Sequence, residues 1–211
     1  MAKSILYYVH DPMCSWCWGF SHALQELLAE LPGSVPVCRV LGGLAADSDV
    51  VMPAGLQAQI KSGWQRIEKT IPGVKFNFDF WKNNVPRRST YPACRAVIAA
   101  RKQGAEYDEA MTKAIQKAYY QQARNPSDDE TLVELAAELN LSVADFRRDL
   151  SSEETRLSLE YEINLARSLF AESFPSLVFR FNQENYTINI DYNKSKVMLD
   201  AILGIMRKNS D

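Results

Sequence analysis

Histidine is scarce in this 211-residue chain, with two residues, His10 and His22, and cysteine stops at four: Cys14, Cys17, Cys38 and Cys94. A zinc centre would need two further ligands beside any cysteine pair, and the isolated Cys38 and Cys94 with two distant histidines do not supply them in an ordinary spacing. Four cysteines are also too few for a secreted scaffold held by disulfides. Charge of one sign is missing as well. The formal net charge is −2, so no long-range field gathers nucleic acid or an anionic membrane. The apolar run at the N-terminus covers only Ile5 to Val9, too short for the h-region of a signal peptide and far too short to cross a bilayer. Together these absences give the expectation of a cytoplasmic protein without metal, nucleic-acid or membrane partner, acting on small molecules or other proteins.

What is present is the composition of an ordinary globular protein, 46% hydrophobic and 24% charged. The length fits one large domain, or one domain carrying an insertion, since domains commonly run to about 100 to 200 residues. "SILYYV", residues 4–9, is β-branched and aromatic and predicts a buried strand ending near His10, stopped by Asp11-Pro12. From Cys14 onward Phe20, Leu24, Leu27, Leu28 and Leu31 recur at helical spacing until Pro32-Gly33, which places the cysteine pair at the first turn of a helix. "VPVCRVL", Val35 to Leu41, predicts a second strand.

After Gly42-Gly43 the pattern turns helical for about a hundred residues. Helices are expected over 53–70, 91–104, 108–124, 127–140 and 142–150, with Ser127 and Glu130 read as one capping box and Ser142 and Asp145 as another. A long helix from Glu153 to Phe170 follows. Strand character returns at "FPSLVFRF", residues 174–181, and at "YTINI" after the turn-like "NQEN", before a closing helix from Lys194 to Arg207. Without the helical block the remainder is a small four-stranded α/β unit. The expected division is therefore 1–43 plus 152–211 for that unit and 44–151 for an inserted helical domain.

The chemistry concentrates in "DPMCSWCWGF". Only a thiolate attacks, and a helix N-terminus favours negative charge, so Cys14 is expected to be the reactive thiol and Cys17, one turn deeper, to resolve the mixed disulfide. A zinc half-site and an inert pair of core thiols are the alternatives. Pro175 opens a strand; in cis it would turn the carbonyl and N–H of Phe174 toward the cysteines, and in trans it is an ordinary strand-opener.

"ILYYVHDPMCSWCWGF", the helical insertion and the late "FPSLV" resemble, over nearly the whole chain, the thioredoxin-fold proteins of the DsbA family, in particular the cytoplasmic branch similar to FrnE and the 2-hydroxychromene-2-carboxylate isomerases. The resemblance implies an α/β thioredoxin fold with a large all-helical, DsbA-like insertion. It also implies protein-disulfide oxidoreductase activity with Cys14 as nucleophile and Cys17 as resolving thiol, a cis-proline at Pro175, and no metal or bound cofactor. Substrates would be proteins or peptides with thiols or disulfides, with glutathione as a co-substrate. The related kappa-class transferases and chromene isomerases share this architecture but have a serine where this chain has Cys14, followed shortly by a Gly-Phe like Gly19-Phe20. They imply the alternative of a glutathione-dependent reaction on an aromatic small molecule. Those transferases tend to have aspartate followed by arginine near the last helix, where this chain has Asp191-Tyr192.

Around the sulfurs, Trp16 and Trp18 are candidates for an apolar substrate surface or for packing against the insertion. Pro12, Met13, Phe174 and Pro175 complete the expected substrate-binding set. Asp11 is a candidate modulator of the thiols or a plain turn residue. Cys38 and Cys94 read as small buried hydrophobes, both histidines as bystanders, and Arg87-Arg88 as a solvated turn or an anion contact.

Overall fold

The computed structural model describes residues 4–208; positions 1–3 and 209–211, the outer ends of the expected sheet-bearing unit, lie outside the described residues. β1 (Ser4–His10) runs through the middle of the sheet. Its period of two sends Leu6 and Tyr8 to one face and Tyr7 and Val9 to the other. Asp11-Pro12 ends it, since proline has no N–H to continue a ladder. α1 (Ser15–Glu30) then lays Phe20, Ala23, Leu24 and Leu27, spaced i, i+3, i+4, i+7, on the Leu6–Tyr8 face.

β2 (Val37–Leu41) pairs parallel to β1, and β3 (Ser176–Phe181) pairs antiparallel on the other side with Tyr7 opposite Val178. β4 (Glu184–Ile188) closes the order β2-β1-β3-β4. α9 (Ser195–Lys208) joins α1 on one face through Met198, Leu199 and Ile202. The expected β, α, β, helical block, β, β, α order is the observed one.

Between β2 and β3 lie α2 (Ala54–Thr70), α3 (Phe80–Asn83), α4 (Tyr91–Arg101), α5 (Tyr107–Gln121), α6 (Asp129–Glu138), α7 (Val143–Leu150) and α8 (Glu153–Ser168). Their core centres on Trp64 of α2, which touches the rings of Phe76, Phe78, Phe80, Trp81, Tyr119 and Tyr120 at centroid distances of 4.8 to 6.2 Å. α8 also covers the second sheet face, with Ala166 and Leu169 on Tyr7, Val9, Val40 and Val178. A buried carboxylate ties this corner together: Glu162 of α8 accepts from the Leu41 N–H at 2.7 Å and from Arg101 of α4 at 2.6 Å, and Arg101 also holds Asp108 of α5.

Several sequence expectations are corrected. Ser127 does not cap α6: its hydroxyl donates to the Ser89 carbonyl at 2.7 Å, Asp128 takes the N-cap place, and the capping box with Glu130 does not form. At α7 the Ser142 hydroxyl does accept the Asp145 N–H, and Ser152, not foreseen, does the same for Thr155 at the start of α8. The β3–β4 turn is only Asn182-Gln183, both in the left-handed region (φ 49° and 74°), which reverses the chain in two residues and starts β4 at Glu184. α8 stops before Phe170, whose φ of 56° no longer continues a right-handed helix.

Candidate functional site

Cys14 is the N-cap of α1. It sits in extended conformation (φ −83°, ψ 115°), its carbonyl accepts the Trp18 N–H at 3.0 Å, and the amides of the first turn have no partner inside the helix. The chain arrives there through a tight turn in which the Cys14 N–H donates to the Asp11 carbonyl at 3.0 Å. The Cys14 thiol, 6% exposed, donates to the carbonyl of Phe174 at 3.4 Å. The Phe174–Pro175 peptide is cis, and the Phe174 ring lies where any Cβ on Gly42 would stand, so the segment after β2 needs glycine at that approach.

Cys17 is fully buried one turn behind Cys14; both are free thiols. Burial pushes the Cys17 thiol well up, and the neighbouring Cys14 adds to the effect.

Asp11 is neither an idle turn residue nor a direct hydrogen-bond partner of the Cys17 thiol through its carboxylate. Its Oδ1 accepts the Met13 N–H at 2.7 Å; its Oδ2 accepts the Leu44 N–H at 2.7 Å, the Thr90 hydroxyl at 2.6 Å and the Cys94 thiol at 3.5 Å. The carboxylate thus locks the turn before α1, the segment after β2 and the start of α4 to one another. Burial raises its pKa, while these four donors favour the charged form. Cys94 is therefore more than a packed hydrophobe: its thiol rests on this carboxylate, and burial and the Asp11 charge push it well up. Cys38 is only half-buried on β2.

The tryptophans divide. Trp16 leans on Tyr192 at 5.1 Å under the Arg66 guanidinium, half-buried beside the sulfurs. Trp18 turns into the helical block, stacking on Tyr120 at 5.7 Å and donating its indole N–H to the Lys75 carbonyl. Pro12 and Met13, expected at the substrate surface, are buried, and Met13 packs into the helical core. Asp191 accepts the N–H groups of Asn193 and Lys194, so its carboxylate is engaged in the turn before α9. Arg87 pairs with Asp128. His10 is buried against the Tyr8 ring (4.8 Å, 2° between planes) with both nitrogens unpartnered, and burial and the charges of Arg39 and Arg101 depress its pKa to about 3.

Sequence reasoning missed Tyr8, Thr90, Tyr120 and Tyr192. The signal for Tyr8 was available, since the period of two along β1 puts it on the face that α1 covers. Thr90 and Cys94 stand four residues apart, one helical turn, but nothing local says which carboxylate that face meets. Among the described residues no group of three or more His, Cys, Asp or Glu side chains is placed to hold a metal, and no helix is long and apolar enough to cross a membrane.

A four-stranded mixed sheet with paired cysteines at the tip of its first helix and a helical insertion before its last strands is a thioredoxin-type α/β fold of the DsbA-like kind. The chain belongs to the thioredoxin family: the family profile described as thioredoxin matches residues 7–199. Among solved structures it is similar to a candidate protein disulfide isomerase from Nitrosomonas europaea (25% identity, TM-score 0.83, 99% of this chain and 100% of that one). It is also similar to the cytosolic disulfide reductase DsbM from Pseudomonas aeruginosa, solved alone (25% identity, TM-score 0.75, 97% of this chain and 99% of that one) and with GSH (TM-score 0.73). Among curated proteins it is similar to the ClpXP adapter protein SpxH of Bacillus subtilis, with 23% identity over 85% of this chain and 59% of that protein. The chain therefore spans less than two thirds of the length of that relative.

Proposed function

We propose that this protein is a thiol–disulfide oxidoreductase of the cytoplasmic FrnE-like branch, with Cys14 as nucleophile and Cys17 as resolving thiol. The observation that carries the reading is the placement of the Cys14 sulfur, at the first turn of α1 and 3.4 Å from the Phe174 carbonyl, with Cys17 buried one turn behind it. Unpaired amides at a helix start favour an anion, which is the form of sulfur that attacks. In the first step a Cys14 thiolate bonds to a substrate sulfur and the substrate S–S bond breaks, releasing one thiol. In the second Cys17 bonds to Cys14 and the second substrate thiol leaves. A substrate chain would lie along Phe174 and Pro175 with Trp16 at its side, while Pro12, Met13 and Trp18 back the wall. Substrates are protein, peptide or glutathione disulfides, and no cofactor need be bound. The likeness to a protein named as a cytosolic disulfide reductase supports both the chemistry and a reducing compartment.

A redox titration in graded glutathione buffers, followed by tryptophan fluorescence with Cys14→Ser as control, tests this. The expected result is a two-electron transition. Its midpoint gives the direction of exchange, between the reducing value of about −270 mV for thioredoxin and the oxidising value of about −120 mV for DsbA. In Cys17→Ser a stable mixed disulfide on Cys14 should accumulate. If Cys17→Ser turns over disulfides as fast as the native protein, the two-thiol mechanism is wrong.

The half-buried rings of Trp16 and Tyr192 beside Cys14 favour one other reading, glutathione-dependent isomerisation or transfer on an aromatic small molecule. That activity would survive Cys17→Ser and be lost in Cys14→Ser. An adapter role like that named for SpxH would instead leave protein binding indifferent to Cys14→Ala.

A further inference from the structure

Building on the two-thiol reading, we propose that Tyr8 is the proton relay of Cys17, passing the Cys17 proton to water in a small cavity beside α1 as that thiol attacks the mixed disulfide. Cys17 is 0% exposed, so it cannot give its proton directly to bulk water. Tyr8, 3% exposed on the face of β1 beneath α1, lines the same small cavity as Cys17. Its ring is fixed by His10 stacked on it at 4.8 Å, by Phe20 at 6.1 Å and by the Arg39 guanidinium 5.9 Å from the ring centre.

Tyr8 and Cys17 share the wall of a cavity of about 30 Å³ with Ser21, Arg39, Glu109 and Lys113. A space of that size accommodates a water molecule, for which about 10 to 15 Å³ suffices, and Ser21, Thr112 and Gln116 of its wall, with the charged groups, offer it hydrogen-bond partners. Lys113 and Gln25 at its margin are exposed, so the cavity reaches the surface, and Cys14 is not part of its wall.

The groups facing this pair are Cys14 at the N-cap of α1, Arg39 from β2, Glu109, Lys113 and Tyr120 from α5, Tyr192 from the segment before α9, and His10 and Asp11 from the end of β1. His10 is held neutral by burial, and the Asp11 carboxylate is occupied by Met13, Leu44, Thr90 and Cys94. Glu109 is held in ion pairs by Arg39 and Lys113. Burial and the two thiols keep the Tyr8 phenol protonated, so it carries no lasting charge and must give one proton as it takes another. In the step itself the Cys17 proton moves to the Tyr8 oxygen and the phenol proton to water in the cavity. The Cys17 sulfur bonds to Cys14, the bond from Cys14 to the substrate sulfur breaks, and the departing thiolate keeps that electron pair and is protonated by solvent.

Stopped-flow reaction with 5,5′-dithiobis(2-nitrobenzoate) reads the two steps separately. The first coloured thiol released reports attack by Cys14, and a second release that is missing in Cys17→Ser reports resolution. Tyr8→Phe should slow the second release at least about tenfold, below the usual range for a positioned proton carrier because water can substitute in part. It should also displace the pH midpoint of that release upward and leave the first release unchanged. A second release with the native rate and pH profile overturns the relay. Should Tyr8→Phe melt early, 3-fluorotyrosine at position 8 keeps the ring and makes the phenol more acidic; the second release and its pH profile must then shift, and no shift again overturns the proposal. A native protein with no Cys17-dependent release would lack the two-thiol reaction, and both readings would fall together.

Discussion

Around the sheet, burial is two-sided, with no single residue at its centre: Leu6, Leu24, Leu27, Leu177 and Ile202 fill one face, and Val9, Val40, Ala166 and Val178 the other. In the helical block a cluster of rings gathers about one indole, Trp64, while ion pairs such as Arg124 with Glu134 and Glu138 and Arg147 with Glu130 decorate the outside. The first arrangement fixes backbone positions through strand ladders, which suits the placement of sulfurs at the tip of α1. The second fixes only the relative position of helices, and its contact with the chemistry passes through side chains: Thr90 and Cys94 on Asp11, and Tyr120 on Trp18. The reactive end is thus carried by one region and held still by the other.

The strongest way to separate the regions is Trp64→Ala, which removes the shared partner of six rings and should cost about 3 to 5 kcal/mol in urea unfolding. A loss below about 1 kcal/mol would mean that the rings repack without their centre. A smaller effect belongs to the sheet. His10 binds no proton in the folded state until its pKa of about 3, whereas in the unfolded chain it takes one up below the ordinary value of 6.5. The neutral folded histidine therefore contributes stability that is present above pH 6.5 and lost as pH falls through the window down to about 3. Between pH 7 and pH 5 this is on the order of 2 kcal/mol, at about 1.4 kcal/mol per unit. His10→Phe, which preserves the stack on Tyr8, should flatten that part of the pH–stability curve; an unchanged slope would assign it elsewhere. Smallest is Ser142→Ala, which removes the cap of α7 at about 1 kcal/mol. By hydrogen exchange the loss should be confined to α6 and α7 and leave β1 and β3 unaffected.

The same contrast explains what could be read from the sequence. β1, α1, β2, β3 and α9 were legible because each carries its own period and stop signal, such as "SILYYV" before Asp11-Pro12, and the cysteine pair announced itself by spacing. α3, four residues long, has too few turns to show a period. Ser127 has the local signature of a cap, yet Ser89, 38 residues away in sequence, takes its hydroxyl. Asp11 reads locally as a turn residue before proline, and three of its four donors come from Leu44, Thr90 and Cys94. Local propensity reports the choices a segment makes alone, and these residues make theirs with distant partners.

Cys14 meets the Phe174 carbonyl across 160 positions of chain, and Asp11 meets Thr90 across 79. On a ribosome releasing the chain from its N-terminus at about 5 to 20 residues per second, Asp11 and the cysteine pair emerge together, and Thr90 and the carbonyl of Phe174 follow seconds later. The thiols are born before the pocket that disciplines them, so in the growing chain they are ordinary cysteines, and their selectivity is acquired only once the Phe174 segment has joined them.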